Sequence, residues 1–182
     1  MDMYKYIILT VVVVALGGIA WYITQTPKTS TVSTYTNVAY GISFKYPNTY
    51  ELQEREVGNG ERYHTAITLA DKEALANTPR FSEGPPTINI DIFQNNLDQL
   101  EVEEWIRGTN DSNYKLSPDG VLTPITIGGE PALWYEVDGL YRMRTIVLAH
   151  KDNILMLSVG SFSLEDQIRK DFDNLLASVD LF

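Results

Sequence analysis

The sequence contains no cysteine and only two histidines, His64 and His150. The lack of cysteine excludes disulfide bonds, thiol nucleophiles, cysteine metal sites and a lipid-modified cysteine anchor. The two histidines show no H-x-x-x-H or comparable spacing, which a zinc site on one element would need. We therefore expect no metal ion and no other cofactor.

Clusters of basic residues are missing as well. The chain has 14 Lys and Arg against 24 Asp and Glu, a formal net charge of −10. Nucleic acids need grouped basic side chains to neutralise their phosphates, and anionic lipid surfaces attract polybasic segments. The charge balance thus excludes a nucleic-acid partner and argues against electrostatic adsorption to an anionic membrane.

One long apolar run is present, at residues 6–23, with 18 residues and no charge. As a helix it would measure roughly 27 Å, close to the thickness of a bilayer's hydrocarbon core. We expect a single-pass anchor in the cell membrane after a short cytoplasmic leader, 1–5, whose Lys5 favours an extracytoplasmic C-terminal domain. The alternative is a cleaved signal peptide ending at the small-x-small pattern of residues 18–20, which would give a secreted soluble protein.

Two further regions follow the apolar run. Residues 24–37 (TQTPKTSTVSTYTN) are mostly Thr and Ser, a composition that predicts a flexible stalk. Residues 38–182 have the length of one globular domain, which can bury a sizeable core without disulfides.

The globular domain alternates apolar and polar residues over many short segments separated by turn residues, a pattern typical of antiparallel strands. Two segments instead have helical spacing, near residues 98–107 and from Ser163 onward, where Leu164, Phe172 and Leu176 belong to one apolar stripe. Strands are expected at residues 40–46, 50–57, 63–69, 88–92, 123–127, 131–137, 141–149 and 154–161. The fold class is therefore α+β, with an antiparallel sheet of about six or more strands flanked by helices.

Two stretches resemble the PsbP-like family, named after an extrinsic subunit of photosystem II. One is residues 40–47 (YGISFKYP), and the other is 125–136 (ITIGGEPALWYE), followed by two strands, a helix and the ending 175–182 (LLASVDLF). The resemblance spans nearly all of 38–182 and implies an αβα sandwich. It also implies a protein without enzymatic activity, since most relatives are binding or assembly modules and one eukaryotic relative binds a small nuclear GTPase. No functional residue is carried over by it.

Motifs of catalysis are not found in the sequence. There is no G-x-S-x-G nucleophile elbow, P-loop or dinucleotide-binding glycine pattern. Acidic residues near 101–104 suit a helix start, where carboxylates favour the helix dipole. Residues 110–113 carry side-chain oxygen atoms that could bind a cation, but they lack the twelve-residue pattern of a calcium loop. We expect no catalytic site and no metal site.

The candidate binding residues lie across the turn at Asp138-Gly139. A two-residue loop there would place Tyr135 opposite Arg142 and Leu133 opposite Arg144 on one side of the sheet. Two arginines beside an aromatic ring can hold an anion or an acidic group of a partner. The alternative is ordinary cross-strand packing, in which arginine stems cover apolar surface.

The sequence thus favours a membrane-anchored, extracytoplasmic binding or assembly module without catalysis. Its expected partners are the membrane and another envelope protein, and no small-molecule ligand is identified. The competing hypothesis is a hydrolase-type enzyme that uses His64, His150 and carboxylates, which would require these groups to converge in one pocket.

Overall fold

The structure, a computed structural model, describes residues 31–58, 63–95 and 99–182. The predicted leader at 1–5, the predicted membrane helix at 6–23 and the first part of the predicted stalk lie outside these ranges. None of the described helices combines the length and the apolar character needed to cross a bilayer.

The main element is a seven-stranded antiparallel sheet, in the order β3-β4-β5-β9-β8-β7-β6. Strands β3, β4 and β5 pair in chain order as antiparallel neighbours, and so do β6, β7, β8 and β9. The two groups are joined by the pairing of β5 with β9. The strands are β3 Tyr50–Val57, β4 His64–Asp71, β5 Thr87–Gln94, β6 Thr123–Ile127, β7 Glu130–Asp138, β8 Arg142–His150 and β9 Asn153–Ser161. The predicted antiparallel α+β fold is confirmed.

A second sheet and short helices cover the large sheet. The second sheet has the order β1-β2-β10, with β1 Val32–Asn37, β2 Ile42–Pro47 and β10 Asp180–Leu181. The helices are α1 Lys72–Asn77, α2 Val102–Gly108 and α3 Gln167–Ala177, with a 3₁₀ turn at Tyr114–Leu116.

Each face of the large sheet has its own core. The front face, defined here by Ile67, Ile90 and Ile146, packs against α3 and the small sheet in one apolar cluster. The back face, defined by Val147 and Met156, packs against α2 and the 3₁₀ turn in another. Because side chains alternate between the two faces along a strand, neighbouring residues of one strand reach different cores.

The predicted stalk at 24–37 is wrong in its last part. Val32–Asn37 form β1, which pairs with β2 along its whole length and begins the folded unit at Thr31. The Tyr35 ring stacks on the buried Phe44 ring with centroids 5.0 Å apart, and burial raises the pKa of its hydroxyl to about 12. Within this described part, Thr34 and Thr36 face solvent on an ordered edge strand.

The last helix starts later than predicted. Residues 163–166 form a turn because the Asp166 carboxylate accepts the backbone N–H groups of Phe162 and Ser163 at 2.8 and 2.9 Å. Leu164 is consequently exposed, whereas Phe172, Leu175 and Leu176 are buried.

Candidate functional site

The turn between β7 and β8 has a different register from the predicted one. Asp138 pairs with Arg142, Glu136 with Arg144, and Tyr135 with Thr145. The loop therefore contains three residues, 139–141, and the pairing is shifted by three positions. An odd shift moves a residue's partners to the opposite face, so Tyr135 lies on the back face while both arginines lie on the front face.

Tyr135 anchors the back face. Its side chain is buried, and its hydroxyl donates a hydrogen bond to the backbone oxygen of Ser112 at 2.7 Å. Burial raises the pKa of this hydroxyl above its usual range. Since the Ser112 hydroxyl in turn donates to the Ile106 carbonyl, Tyr135 fixes the loop at 110–113 to the sheet and is removed from the predicted binding face.

Arg144 keeps an aromatic neighbour, which is Trp134. Its guanidinium carbon lies 5.2 Å from the centre of the Trp134 ring, within the range of cation–π contact. Its Nη1 donates to Asp173 Oδ1 of α3 at 2.8 Å. The described contacts of Arg144 are thus intramolecular, and this arginine ties the last helix to the sheet.

A third arginine, Arg169, lies beside these two and was not predicted from the sequence. Arg169 of α3 lies on the front face, with its side chain only 10% exposed, and its Nη2 donates to Glu136 Oε1 at 2.7 Å. Its Nη1 donates to the Ser161 hydroxyl at 3.2 Å. A signal was present: Arg169 precedes Phe172 by three and Leu176 by seven residues, which places a cation on the buried stripe of the helix.

Arg142 is the exposed member of the arginine cluster, by which we mean Arg142, Arg144 and Arg169. It borders a cavity of about 300 Å³ next to Glu136, and no ion pair of its guanidinium is found within the described part of the chain. The second carboxylate oxygen of Glu136, Oε2, is buried without a hydrogen-bond donor. The cavity is lined by Pro118, Asp119, Glu136, Val137, Asp138, Arg142 and Leu164.

The two histidines do not converge. His64 lies on the back face, stacked on Phe93 at 4.4 Å, with its Nε2 3.4 Å from Asp91 Oδ1. His150 lies four residues after Ile146 on β8, so its side chain is on the same front face. Its Nε2 is buried there without a hydrogen-bond partner. The pocket of histidines and carboxylates that a hydrolase would need is not formed between these residues.

The described residues also contain no group of three or more His, Cys, Asp or Glu placed to hold a metal ion. In the loop at 110–113, side-chain oxygens have protein partners. Lys115 Nζ donates to Asn110 Oδ1 at 2.9 Å, and Thr109 Oγ1 donates to Asp111 Oδ2 at 3.0 Å.

Asp91 gives a testable pH dependence. Burial raises the pKa of its carboxyl, and the attraction of His64 only partly opposes this effect. The folded state therefore holds the proton more tightly than the unfolded chain, so stability is lost as pH rises from about 4 through the folded-state pKa. We expect the stability difference, which is the free energy of unfolding of the wild type minus that of Asp91→Asn, to decrease as pH rises from about 4 through the folded-state pKa. Urea titrations at a series of pH values measure it, and a difference that rises with pH would contradict the assignment.

Comparison with known proteins identifies the fold. The solution structure of cyanobacterial PsbP (CyanoP) from Synechocystis sp. PCC 6803 superposes with a TM-score of 0.56 at 12% sequence identity. The match covers 87% of this chain and 98% of that chain. Neither a family model nor a curated protein sequence matches. The chain therefore has a PsbP-like fold, as the sequence resemblance implied.

Proposed function

We propose that the protein is a non-catalytic binding or assembly module, anchored in the cell membrane by residues 6–23, with its PsbP-like domain on the extracytoplasmic side. The PsbP-like fold supports the binding role through the family's common use. The uncharged run of 18 residues after Lys5 supports the anchor and its orientation.

The observation that carries the proposal is the cavity beside Arg142. Its lining presents the exposed guanidinium of Arg142 beside the carboxylate residues Asp119, Glu136 and Asp138. The site thus suits a partner segment that offers a carboxylate to Arg142 and N–H or cationic groups to the neighbouring exposed carboxylates of Asp119 and Asp138.

The roles of the three arginines differ in this proposal. Arg144 and Arg169 are engaged with Asp173 and Glu136 and hold α3 to the sheet. Arg142 is exposed and contributes little to folding, because an exposed charge is screened by water. Recognition is therefore assigned mainly to Arg142.

Replacing this residue tests the proposal. We expect Arg142→Ala to weaken capture of an envelope partner by at least tenfold, a loss of about 1.4 kcal/mol or more, without a change in thermal midpoint. The measurement is co-purification from detergent-solubilised membranes, followed by titration of the partner recovered. The matched control is Arg55→Ala, an exposed arginine on the edge strand β3.

Two results would contradict the assignment. Unchanged affinity in Arg142→Ala would remove this residue from recognition. Equal losses in Arg142→Ala and Arg55→Ala would indicate a general effect of charge. Neither histidine is part of the proposed site, so His64→Ala and His150→Ala serve as further controls.

A further inference from the structure

Four of the exposed large apolar side chains lie in neighbouring loops at one end of the seven-stranded sheet. We call it the proximal end, and define it as the end where β3, β5 and β8 begin. Residues 78–86 lead into β5 there, 139–141 form the turn into β8, and 162–166 follow β9. The exposed side chains in these loops are Phe81, Leu140, Phe162 and Leu164.

Tyr141 joins two of these loops to the turn that carries it. Its hydroxyl donates to the Gly84 backbone oxygen at 2.6 Å, and its ring meets the Phe162 ring edge-on, with centroids 5.1 Å apart. The exposed side chains are thus presented by one connected surface. Exposed apolar groups gathered in this way mark an interaction site more often than isolated ones do.

Phe81 is held in an unfavourable conformation. Its φ is +66°, a left-handed value that costs a non-glycine residue roughly 1–2 kcal/mol. Its side chain is fully exposed, so no packing within the domain compensates for this strain. Strain of this kind clusters where a residue serves function, and here it projects a phenyl ring into the surroundings.

The chain also enters the domain at the proximal end. The Thr31 carbonyl accepts from Asn48 N at 2.9 Å, and the Thr49 carbonyl accepts from Lys72 N at 3.0 Å, beside the start of β3. Only residues 24–30 separate Thr31 from the apolar run at 6–23. Even fully extended, seven residues reach no more than about 25 Å.

We propose that the proximal end docks on the lipid bilayer that carries the anchor, with Phe81, Leu140, Phe162 and Leu164 inserted at the interface. This inference rests on the anchoring proposed above. The short tether keeps the proximal end within reach of the bilayer, and aromatic and aliphatic side chains partition into the boundary between headgroups and acyl chains.

The charges of the proximal end specify how it docks. Exposed Lys72, Arg80 and Arg142 are outnumbered there by the exposed carboxylates of Glu73, Glu83, Asp138 and Glu165. The surface therefore lacks the basic cluster that anionic lipids attract. Docking depends on apolar insertion, requires no anionic lipid and resists added salt.

Docking also has a consequence for recognition. The cavity beside Arg142 is lined by Leu164 and so opens at the proximal end. A partner bound there is presented at the level of the headgroups, which favours a membrane protein that offers a segment next to its own span.

Site-directed spin labelling of the full chain tests docking. Since the protein has no cysteine, Glu83→Cys introduces a single labelling site beside Phe81, and Tyr63→Cys introduces one at the opposite end of the sheet. Each labelled chain is reconstituted in phosphatidylcholine vesicles. Accessibility of the label to lipid-soluble oxygen is then compared with accessibility to a water-soluble nickel chelate.

We expect the label at 83 to be protected from the chelate and exposed to oxygen, and the label at 63 to behave as in water. Phe81→Ser with Phe162→Ser should reduce docking by on the order of tenfold or more. The matched control is Val38→Ser, which removes an exposed apolar side chain from the β1–β2 turn. That turn lies beside Lys151 of the β8–β9 turn, at the end opposite the proximal end, so the substitution should change nothing.

Two readouts separate docking from anchoring. Retention in the vesicles after an alkaline carbonate wash reports the anchor alone. Retained chains with a water-like label at 83 would overturn docking and leave anchoring intact, whereas chains lost in the wash would overturn both. If the label at 83 loses its protection from the chelate when the protein is diluted at constant lipid, the proximal end contacts a second copy of the chain. That result would overturn docking on lipid.

Discussion

Arg169→Ala should lower the free energy of unfolding by about 3 kcal/mol. The Arg169 side chain is only 10% exposed, and its partner Glu136 is 27% exposed. Removal of one member of a buried ion pair leaves the other charge without compensation, which typically costs about 3–5 kcal/mol. The lower value applies because water still reaches part of Glu136. Urea unfolding at neutral pH measures the loss.

A second substitution separates the lost charge from the lost packing. Arg169→Met with Glu136→Gln removes both charges and keeps most of the side-chain volume, so it should recover much of the stability lost in Arg169→Ala. Lys170→Ala, at an exposed neighbour on the same helix, is the control and should lie within about 0.5 kcal/mol of wild type. A loss below 1 kcal/mol in Arg169→Ala would show that the pair is not a structural element.

A chain that begins at Val38 should be less stable by about 3 kcal/mol than one that begins at Thr31. The shorter chain lacks β1, so Phe44 loses its stacking with Tyr35 and β2 keeps only its short pairing with β10. Burial of an aromatic side chain contributes about 1.5–3 kcal/mol, and an aromatic pair adds about 0.5–1.5 kcal/mol. Thermal and urea unfolding of the two chains measures the difference.

Point substitutions within β1 provide the internal control. Tyr35 faces the core side of the strand and the adjacent Thr34 faces solvent. Tyr35→Ala should reproduce much of the loss seen in the shorter chain, whereas Thr34→Ala should have little effect. If the chains that begin at Val38 and Thr31 unfold identically, β1 is not part of the stable domain and the stalk predicted at 24–37 is restored.

The strands of the large sheet could be predicted from the sequence because each is a local pattern. Ile88, Ile90 and Ile92 alternate with polar residues, and Gly128-Gly129 has the positive φ values that its turn requires. β1 was missed because half of its side chains are Thr or Ser. Its ordering depends on pairing with β2 and on the ring of Phe44, which are tertiary contacts.

The candidate site depended on a register that the sequence left open. Asp138-Gly139 resembled a two-residue turn, and the three-residue loop moved Tyr135 to the back face while Arg142 and Arg144 stayed on the front face. Trp134, one residue earlier, took the place of the predicted aromatic partner. The partner of Glu136 comes from α3, a contact between distant parts of the chain that strand patterns do not contain.

The two edge strands of the large sheet carry an implication for a protein confined to a surface. β6 has Pro124 at an exposed position, and β3 exposes Glu51, Glu54, Arg55 and Glu56. Proline cannot donate to a new strand, and a row of charges disfavours a second chain. Anchoring would raise local concentration by confining diffusion to two dimensions, which promotes edge-to-edge polymerisation. Both edges resist it, so copies held by the proposed anchor would share one patch of membrane without joining edge to edge.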